Sequence, residues 1–329
     1  MTARLRGDAA SSCGSASAFD REVASAMIRT GAGSVQGWEC DHRGHLSLYR
    51  YVAHATESLG SLAIALGVGP QQQRAQDFRF VDVDHHVRFL REMRSGTPFV
   101  LFGGIAGIAD ETVRLYQEMR NALTGAVSAT FIIEALVVDR ATRSPRRLPD
   151  QIHRSAPGLK VEVPEHGAPK GIALDAPRSR PTLEEADKLG LYVTQQALLL
   201  ASECDREGLA TTPAYASRVY DASPHLTIHI RDVDQGENPD ISGVAVECRF
   251  IHRAPAREGQ VLTLRSGIRA VGSKTLTWVH WLFDAESGEA VATAETVGVR
   301  FDGTARKAIE FNLETRRSLE KRSVPGISV

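Results

Sequence analysis

A segment near the start of the chain, residues 38–47 with the sequence WECDHRGHLS, contains two carboxylates, one thiol and two imidazoles. Side chains of these types can act as acids, bases or nucleophiles, and they can bind metal ions. Residues 202–211, SECDREGLAT, repeat the Glu-Cys-Asp-x-x-Gly pattern 164 positions later, but Leu209 takes the place of the second histidine. The feature that both segments share is therefore a carboxylate followed by a glycine.

A metal site would explain the density of ligand-type residues in the first segment. The three candidates, Cys40, His42 and His45, are spaced as Cys-x-His-x-x-His, which lacks the paired spacing of common zinc sites. Cys204 recurs in the second segment with no histidine beside it. The sequence therefore predicts no metal and no other cofactor.

Asp41 is the main candidate for catalysis in the first segment. A carboxylate can attack a carbonyl carbon or take a proton from water, but Asp41 could also cap a helix or order the loop as an Asx turn. Gly44 could bring a backbone N–H against a ligand near the positive end of a helix, or it could only form the turn. His45 could donate to a substrate carbonyl, orient Asp41, or fix the loop through a backbone bond.

The two segments belong to a long tandem repeat. The offset of 164 returns near the end of each copy, where Ala126 matches Ala290. A chance match of six residues would not keep its register over that distance. We expect two copies, at residues 34–140 and 191–302.

Each copy predicts a helix directly after the loop. In the second copy, Pro213 suits the first helical turn with Thr211 or Thr212 as the cap, and Pro224 predicts a kink or a break. In the first copy, apolar residues recur at intervals of three and four, as a helix that is buried on one face requires. These residues are Leu48, Val52, Ala55, Leu59, Leu62 and Leu66.

Four strand-like runs follow each helix, with turn residues between them. They are residues 78–90, 98–108, 112–121 and 126–139 in the first copy, and 244–251, 261–271, 275–284 and 290–301 in the second. His85 and His86 lie on the first run, where neighbours face opposite ways, so only one of them can face a cleft. We interpret this run as an edge strand with the histidine pair facing solvent.

The segments outside the copies have their own compositions. Residues 1–33 begin with an Ala- and Ser-rich stretch, which predicts a loosely ordered tail. Residues 141–190 contain seven prolines and predict a long ordered connector with a short helix near its end. Residues 303–329 predict a basic C-terminal tail.

A long helix followed by an antiparallel meander predicts an α+β fold, in which a curved sheet wraps the helix. A single copy would leave a sheet edge and an apolar face open. Two copies in one chain can pair side by side and cover both.

The overall charge argues against some classes of function. With 40 acidic and 39 basic residues, the chain lacks the positive excess of proteins that bind nucleic acid or membrane surfaces. No apolar run reaches the roughly 18 residues of a transmembrane helix, and the first residues contain no stretch suited to a signal peptide. Four cysteines are too few for a disulfide scaffold, so we expect reduced thiols and a cytoplasmic protein.

The loop and the strand after the helix resemble those of the hotdog-fold acyl-CoA thioesterases, in particular the 4-hydroxybenzoyl-CoA thioesterase-like group. The loop of that family reads approximately Asp-x-x-Gly-His-Met-Asn-x-x-x-Tyr, immediately before the central helix. The matching positions here are Asp41, Gly44, His45, Leu46, Ser47 and Tyr51. Residues 85–99, HHVRFLREMRSGTPF, resemble the strand that follows the helix in that family.

The resemblance implies a double hotdog that binds acyl-CoA between its two units and hydrolyses it, without a metal, to free acid and CoA. The catalytic residues that it implies are Asp41, His45 and Asp205, the last as a second centre without the histidine. The residues implied to hold the oxyanion or substrate are Gly44, Leu46, Ser47, Tyr51 and Gly208. The fused pair could be complete as a monomer, or it could form a homo-oligomer.

Arginine clusters follow each copy. CoA carries a 3′-phosphate and a diphosphate, which guanidinium groups bind well. After the first copy, we assign Arg143, Arg146 and Arg147 to these phosphates. The alternative is a solvated basic surface with no ligand.

The sequence departs from the family pattern at three positions. Ser47 stands where the family has Asn, and Leu209 and Thr211 stand where it has His and Asn. Two other functions therefore stay open. One is a hotdog enoyl-acyl hydratase or dehydratase, although such enzymes space the two residues as Asp-x-x-x-x-His and only three residues separate Asp41 from His45. The other is a non-catalytic acyl-CoA-binding protein.

Overall fold

The first strand of the fold lies in the predicted N-terminal tail. The computed structural model of the chain describes residues 27–175, 177, 180–231 and 241–329. Residues 1–26 of the tail lie outside this part of the chain, and the next residues form β1 (Ile28–Ser34). This strand has no alternating apolar pattern because Gly33 lies against the ring of Phe99, where a Cβ would come within 2.7 Å. The first unit therefore begins before residue 34.

The first unit continues from β1 with a 3₁₀ turn, two helices and four strands. In chain order these are the turn Gly37–Glu39, α1 (Leu48–Ala65), α2 (Pro70–Ala75), β2 (Phe78–Phe89), β3 (Pro98–Ile108), β4 (Thr112–Asn121) and β5 (Val127–Asp139). The connector adds β6 (Pro145–Arg146), α3 (Asp150–Ser155) and α4 (Leu183–Lys188). A short helix near the end of the connector is thus confirmed.

The second unit repeats the order of the first. Its elements are β7 (Tyr192–Leu198), the 3₁₀ turn Ala201–Glu203, α5 (Thr212–Ile230), β8 (Ile241–His252), β9 (Val261–Val271), β10 (Thr275–Asp284) and β11 (Ala290–Asp302). The chain then continues with β12 (Lys307–Ala308) and α6 (Leu313–Lys321). The predicted strand runs are confirmed in both units.

All of these strands belong to one antiparallel sheet. Its order is β1-β3-β4-β5-β2-β8-β11-β10-β9-β7, with β6 paired to β5 and β12 to β11. The two units therefore meet at the centre, where β2 pairs with β8 and His86 lies opposite Arg249. We call the face that packs on α1 and α5 the inner face, and the opposite face the outer face. The sheet wraps two helices, which confirms the predicted α+β fold.

The interpretation of His85 and His86 as a solvent-facing edge pair is wrong. β2 is a central strand, and both imidazoles are buried. His85 faces the helices on the inner face, whereas His86 contacts Glu247 on the outer face at 2.7 Å. The error arose because the sequence alone does not show which strand of a unit pairs with the other unit.

The helix of the second unit runs through Pro224 without a break. Pro224 is exposed, so its missing N–H and the carbonyl that it leaves unpaired face solvent. Ala222 and Leu226, on either side of it, are buried and hold the helix against the sheet. Thr211 is the N-cap residue, as predicted, but its hydroxyl donates to the carbonyl of Glu203 and makes no cap bond.

The connector covers the outer face where β2 and β8 meet. Arg249 donates to the carbonyls of Ala173 and Asp175 and forms a charge pair with Asp84, whose carboxylate oxygens lie 2.6–3.1 Å away. Glu247 accepts from the backbone N–H of Gly171 at 2.6 Å. The connector is therefore fixed to the sheet by fully paired charged groups.

Candidate active site

The two Glu-Cys-Asp loops have the same geometry, and in both the aspartate orders its own loop. Oδ1 of Asp41 accepts from the backbone N–H of Arg43 at 2.9 Å and of His45 at 3.0 Å. Oδ1 of Asp205 accepts in the same way from Glu207 at 2.8 Å and Leu209 at 3.1 Å. The Asx-turn role is therefore present in both units, and it uses only one of the two carboxylate oxygens.

The glycines of the loops form the turn and do not offer their N–H groups to a ligand. Gly44 has a φ of 77° and its N–H donates to the carbonyl of Asp41 at 3.0 Å. Gly208 has a φ of 71° and donates to Asp205 at 2.9 Å. In this structure both N–H groups are therefore engaged in closing their own turns, which the positive φ of glycine permits.

The first turn of α1 supplies the donors that the glycines do not. The N–H groups of Leu48 and Tyr49 bond no other described residue, as expected for a helix N-terminus. Ser47 is buried at the N-cap position but makes no side-chain cap bond. In α5 the equivalent turn contains Pro213, which has no N–H. The first unit therefore has more free donors for a developing negative charge.

His45 contacts a carboxylate other than that of Asp41. Its Nε2 lies 3.4 Å from Oε2 of Glu92, and the same oxygen of Glu92 accepts from Arg306 at 2.7 Å. Its link to Asp41 is the backbone bond described above. Both proposed functions of the histidine, orientation of the loop and donation to a substrate, are compatible with this position.

Leu46 and Tyr51 point into the core and not towards a substrate. Leu46 is buried and its N–H donates to the carbonyl of Met93. The hydroxyl of Tyr51 accepts from the N–H of Met93 at 3.1 Å, and its ring packs edge-on against Phe89. Burial raises the pKa of the Tyr51 phenol well above its usual value. Both residues therefore fix the loop on the core.

The carboxylate of Asp205 is held by a cation from the other unit. Its Oδ2 lies 2.5 Å from a guanidinium nitrogen of Arg79 on β2. Glu207 in the same loop contacts Arg79 at 3.2 Å, and Arg140 and Arg143 at 2.7 Å. Burial would raise the pKa of Asp205, but the backbone N–H donors and Arg79 outweigh it and lower the pKa.

Asp41 differs from Asp205 in this respect. It is half-buried, and it forms no ion pair with any residue in the described part of the chain. Its Oδ2 is therefore the uncommitted carboxylate oxygen of the two loops. The negative charge of Asp41 is therefore not neutralised by a neighbouring guanidinium, as that of Asp205 is.

The three arginines predicted to bind CoA phosphates are not grouped together. Arg143 is engaged with Glu207. Arg146 and Arg147 line a cavity of about 330 Å³, together with Arg154 in the last turn of α3. Three guanidinium groups at one cavity suit a phosphate-bearing ligand better than the predicted set of Arg143, Arg146 and Arg147 does.

A second group of polar side chains lies at the start of α5, where the inner faces of the two units meet. It consists of Asp82 and His85 on β2, Thr212 on α5 and His252 on β8. The hydroxyl of Thr212 donates to Oδ2 of Asp82, and Nε2 of His85 lies 2.7 Å from the same oxygen. Nε2 of His252 lies 2.8 Å from the hydroxyl oxygen of Thr212. We call these four residues the Asp82 cluster.

A bulge in β2 brings Asp82 and His85 to one face. Residues three apart on a regular strand point to opposite faces. The register of β2 against β5 shifts between Asp82 and Asp84, and the extra residue there reverses the alternation. Because no feature of the sequence announced the bulge, sequence reasoning missed Asp82 and His252 and assigned Thr212 only a capping role.

The charges within the Asp82 cluster compensate one another. Burial would raise the pKa of the Asp82 carboxyl, but His85, His252 and the Thr212 hydroxyl hold that pKa below its usual value. Burial lowers the pKa of His252 more than the nearby Asp82 raises it. At neutral pH the cluster therefore contains an ionised carboxylate next to a neutral His252.

A family model described as the thioesterase-like superfamily matches residues 35–165 and 199–319. These two segments make up most of the chain and fall on the two units. The chain belongs to the thioesterase-like superfamily. No curated protein sequence shows a significant match to it.

Solved structures of thioesterases share the fold of this superfamily member over both units. An acyl-ACP thioesterase from Bacteroides thetaiotaomicron VPI-5482 gives a TM-score of 0.61 at 12% identity, with 83% of this chain and 97% of that chain covered. The 12:0-ACP thioesterase from Umbellularia californica gives 0.63 at 16% identity, with 83% and 94% covered. At these identities the likeness shows the double hotdog fold alone, and this fold is the one predicted.

The thioesterase-like chain has no helix in its described residues that is long and apolar enough to cross a membrane. Within the same residues, no three His, Cys, Asp or Glu side chains are grouped so that they could hold a metal ion.

The cleft at the start of α1 lacks an equivalent of the Asp82 cluster. β2 and β8 have the same length and correspond at an offset of 163, and the helix starts correspond at 164. The positions equivalent to the cluster hold no carboxylate, hydroxyl or imidazole. They are Ala245, Cys248, Leu48 and Phe89. The two clefts of this superfamily member have therefore diverged in both the loop and the helix start.

Proposed function

We propose that the protein hydrolyses acyl thioesters to a free acid and a thiol, with Asp41 activating the attack. The observation that carries this proposal is the uncommitted Oδ2 of Asp41 beside a helix start with two free N–H donors. Membership of the thioesterase-like superfamily supports the reaction class.

In this proposal the thioester carbonyl oxygen lies against the N–H groups of Leu48 and Tyr49. Asp41 takes a proton from water, whose oxygen attacks the carbonyl carbon. The negative charge that develops on the carbonyl oxygen is stabilised by the helix N–H groups. The carbon–sulfur bond then breaks, and the thiolate takes the proton from Asp41. Direct attack by the Asp41 carboxylate, followed by hydrolysis of the anhydride, would use the same geometry.

Asp205 has a structural role in this proposal. Its second oxygen is bound by Arg79, so taking up a proton would weaken an ion pair between the two units. His45 assists the first unit only, since Leu209 stands at its place in the second. The ion pair with Arg79 also explains the presence of a carboxylate there.

We propose an acyl-CoA as substrate. The cavity of Arg146, Arg147 and Arg154 is a candidate phosphate site for a thioester bound at the start of α5, because it includes Phe78, next to the Arg79 that binds Asp205. Two structures with the same fold are named as thioesterases of acyl-ACP, so acyl carrier protein is the carrier to compare with CoA. The two units together supply both clefts, so a single chain contains a complete pair. Sedimentation of the purified protein would test whether these pairs associate further.

The deciding experiment measures thiol release from acetyl-, hexanoyl-, lauroyl- and benzoyl-CoA by the full chain. We expect Asp41→Asn to lower kcat/KM by at least about 100-fold, the range for loss of an acid–base group. Asp205→Asn is the matched control, because it makes the same change at the equivalent position, and we expect less than about threefold. Equal losses in the two variants would contradict the role of Asp41, and no release by the wild type would contradict the function.

A further inference from the structure

We propose that the Asp82 cluster is a second catalytic centre for thioester hydrolysis, in which Asp82 activates water and Thr212, His85 and His252 position it. This inference rests on the proposed function and adds a centre at the helix start of the second unit. It concerns side chains from three elements and both units, none of which belongs to the Glu-Cys-Asp loops.

The contacts of Asp82 leave one of its oxygens available. Thr212 and His85 both approach Oδ2, so Oδ1 has no partner in the described part of the chain. The side chain of Asp82 is 19% exposed, whereas that of His85 is fully buried. Solvent can therefore approach the Asp82 side chain, while His85 beside it stays shielded.

A purely structural charged group looks different, and β2 provides an example two residues away. Asp84 forms a bidentate pair with Arg249, and Arg249 also donates to two connector carbonyls. The Asp82 cluster contains no guanidinium or ammonium group. It also contains Nδ1 of His85, a fully buried polar atom with no hydrogen-bond partner among the described residues, although Nδ1 of His86 beside Glu247 is buried in the same way. The absence of a guanidinium is therefore what separates the Asp82 cluster from the structural Asp84 pair.

The hydrogen-bond directions within the cluster fix the state of each group. Thr212 donates its hydroxyl hydrogen to the ionised Asp82, so the hydroxyl oxygen must accept from Nε2 of His252. His252 is therefore the Nε2–H tautomer, and it orients the Thr212 hydroxyl. Loss of the hydroxyl would release Asp82 and His252 together.

The proposed reaction balances without a further reactant. Oδ1 of Asp82 takes a proton from water, and the water oxygen bonds to the thioester carbonyl carbon. The backbone N–H of Thr212, the first residue of α5, donates to the carbonyl oxygen of the thioester in this proposal. The carbon–sulfur bond breaks, and the leaving sulfur takes the proton from Asp82. The products are one carboxylic acid and one thiol.

The test compares kcat and KM for the same acyl-CoA panel in the full chain. We expect Asp82→Asn and Thr212→Val to lower the kcat of the substrates hydrolysed here by at least about tenfold with little change in KM. Thr227→Val is the matched control, because Thr227 lies on the exposed side of the same helix, and we expect wild-type kinetics. Thermal melting of each variant shows whether it is folded.

A carboxylate supplied from solution separates catalysis from structure. Formate or acetate should restore part of the thiol release in Asp82→Ala, because a small carboxylate can replace the missing base but cannot rebuild a fold. The positioning residues are tested by the pH profile, whose acid limb should shift in Thr212→Val and not in Thr227→Val.

Three outcomes would overturn this inference. The first two leave the proposed function intact, and the third replaces it. Folded Asp82→Asn and Thr212→Val with wild-type thiol release would remove the second centre but keep hydrolysis at Asp41. Absence of rescue in folded Asp82→Ala would assign Asp82 a structural role. Hydration of crotonyl-CoA that depends on Asp82, without thiol release by the wild type, would replace hydrolysis by hydratase chemistry.

Discussion

The helix starts of α1 and α5 are copies of one structure with opposite distributions of charge. At α1 the loop carboxylate has no counter-cation among the described residues, and the positions equivalent to Thr212 and His252 are the apolar Leu48 and Phe89. At α5 the loop carboxylate is bound to Arg79, and the cleft behind it contains the Asp82 cluster. A carboxylate with no guanidinium partner is thus present once at each helix start. At α1 it is Asp41 in the loop, and at α5 it is Asp82 on β2.

The difference indicates how a fused pair can diverge where a symmetric dimer cannot. In a homodimer every substitution appears in both clefts, so a cation that inactivates one carboxylate inactivates both. Here Arg79 on β2 neutralises only Asp205, because the equivalent position on β8 is Ser242. Each cleft can therefore be changed without its partner.

The largest effect is expected from giving the first cleft the cation of the second. Ser242→Arg places a guanidinium at the position equivalent to Arg79, where it should pair with Asp41. We expect kcat/KM for the substrates hydrolysed at Asp41 to fall by about tenfold, which corresponds to about 1.4 kcal/mol. Ser242→Gln is the control for side-chain length without charge. If both variants are equally active, the free carboxylate at Asp41 is not what distinguishes the clefts.

An effect on stability, and not on turnover, is expected when the second loop loses its cation. Arg79→Met leaves Asp205 and Glu207 without one of their partners, while Arg140 and Arg143 still hold Glu207. We expect the free energy of unfolding to fall by about 2 kcal/mol, less than for a fully buried pair because these groups are partly exposed. Urea unfolding measures this change.

The control for Arg79→Met is Arg317→Met, which removes an exposed arginine on α6. Its change in unfolding free energy should stay within about 0.5 kcal/mol. A loss in Arg79→Met no larger than this would show that Arg79 does not anchor the second loop.

The pH dependence of stability should show the same ion pair. The pKa of Asp205 is lowered in the folded protein, so its contribution is complete above the unfolded value of about 3.9 and is lost as the pH falls below it. Asp205→Asn should therefore be less stable than the wild type at pH 7, and the difference should shrink below about pH 4. Unfolding midpoints at pH 7 and pH 3.5 measure it. A constant difference would contradict the pairing.

The sequence predicted the repeated fold because its evidence is periodic. The spacing of apolar residues in α1 and the turn residues between strands are local features, and both copies carry them. β1 was missed because Gly33 lies against the ring of Phe99, so packing and not alternation defines the strand. The continuity of α5 through Pro224 depends on exposure, which the sequence does not show.

The candidate site was predictable only in part, for a similar reason. Asp41 was found because the loop recurs as a short motif. Its difference from Asp205 depends on Arg79, which lies 126 residues earlier in the chain and reaches the loop only through the pairing of the units. Asp82 and His85 share a face because of a bulge, and a bulge leaves no regular signal in a sequence.

The smallest effect is expected where the two helix starts are still alike. Gly44→Ala and Gly208→Ala force a Cβ into the left-handed region at φ values of 77° and 71°, and each should cost about 1 kcal/mol of unfolding free energy. Neither Cβ would meet an atom within 4 Å, so the cost is conformational in both. Gly60→Ala, in the middle of α1 and equally unobstructed, should instead stabilise by about 0.5–1 kcal/mol. Urea unfolding of the three variants tests this, and a large inequality between Gly44 and Gly208 would mean that divergence has reached the turn itself. Equal losses would mean that the two loops have diverged only in the charges around them and share the same backbone. One loop could then be exchanged for the other.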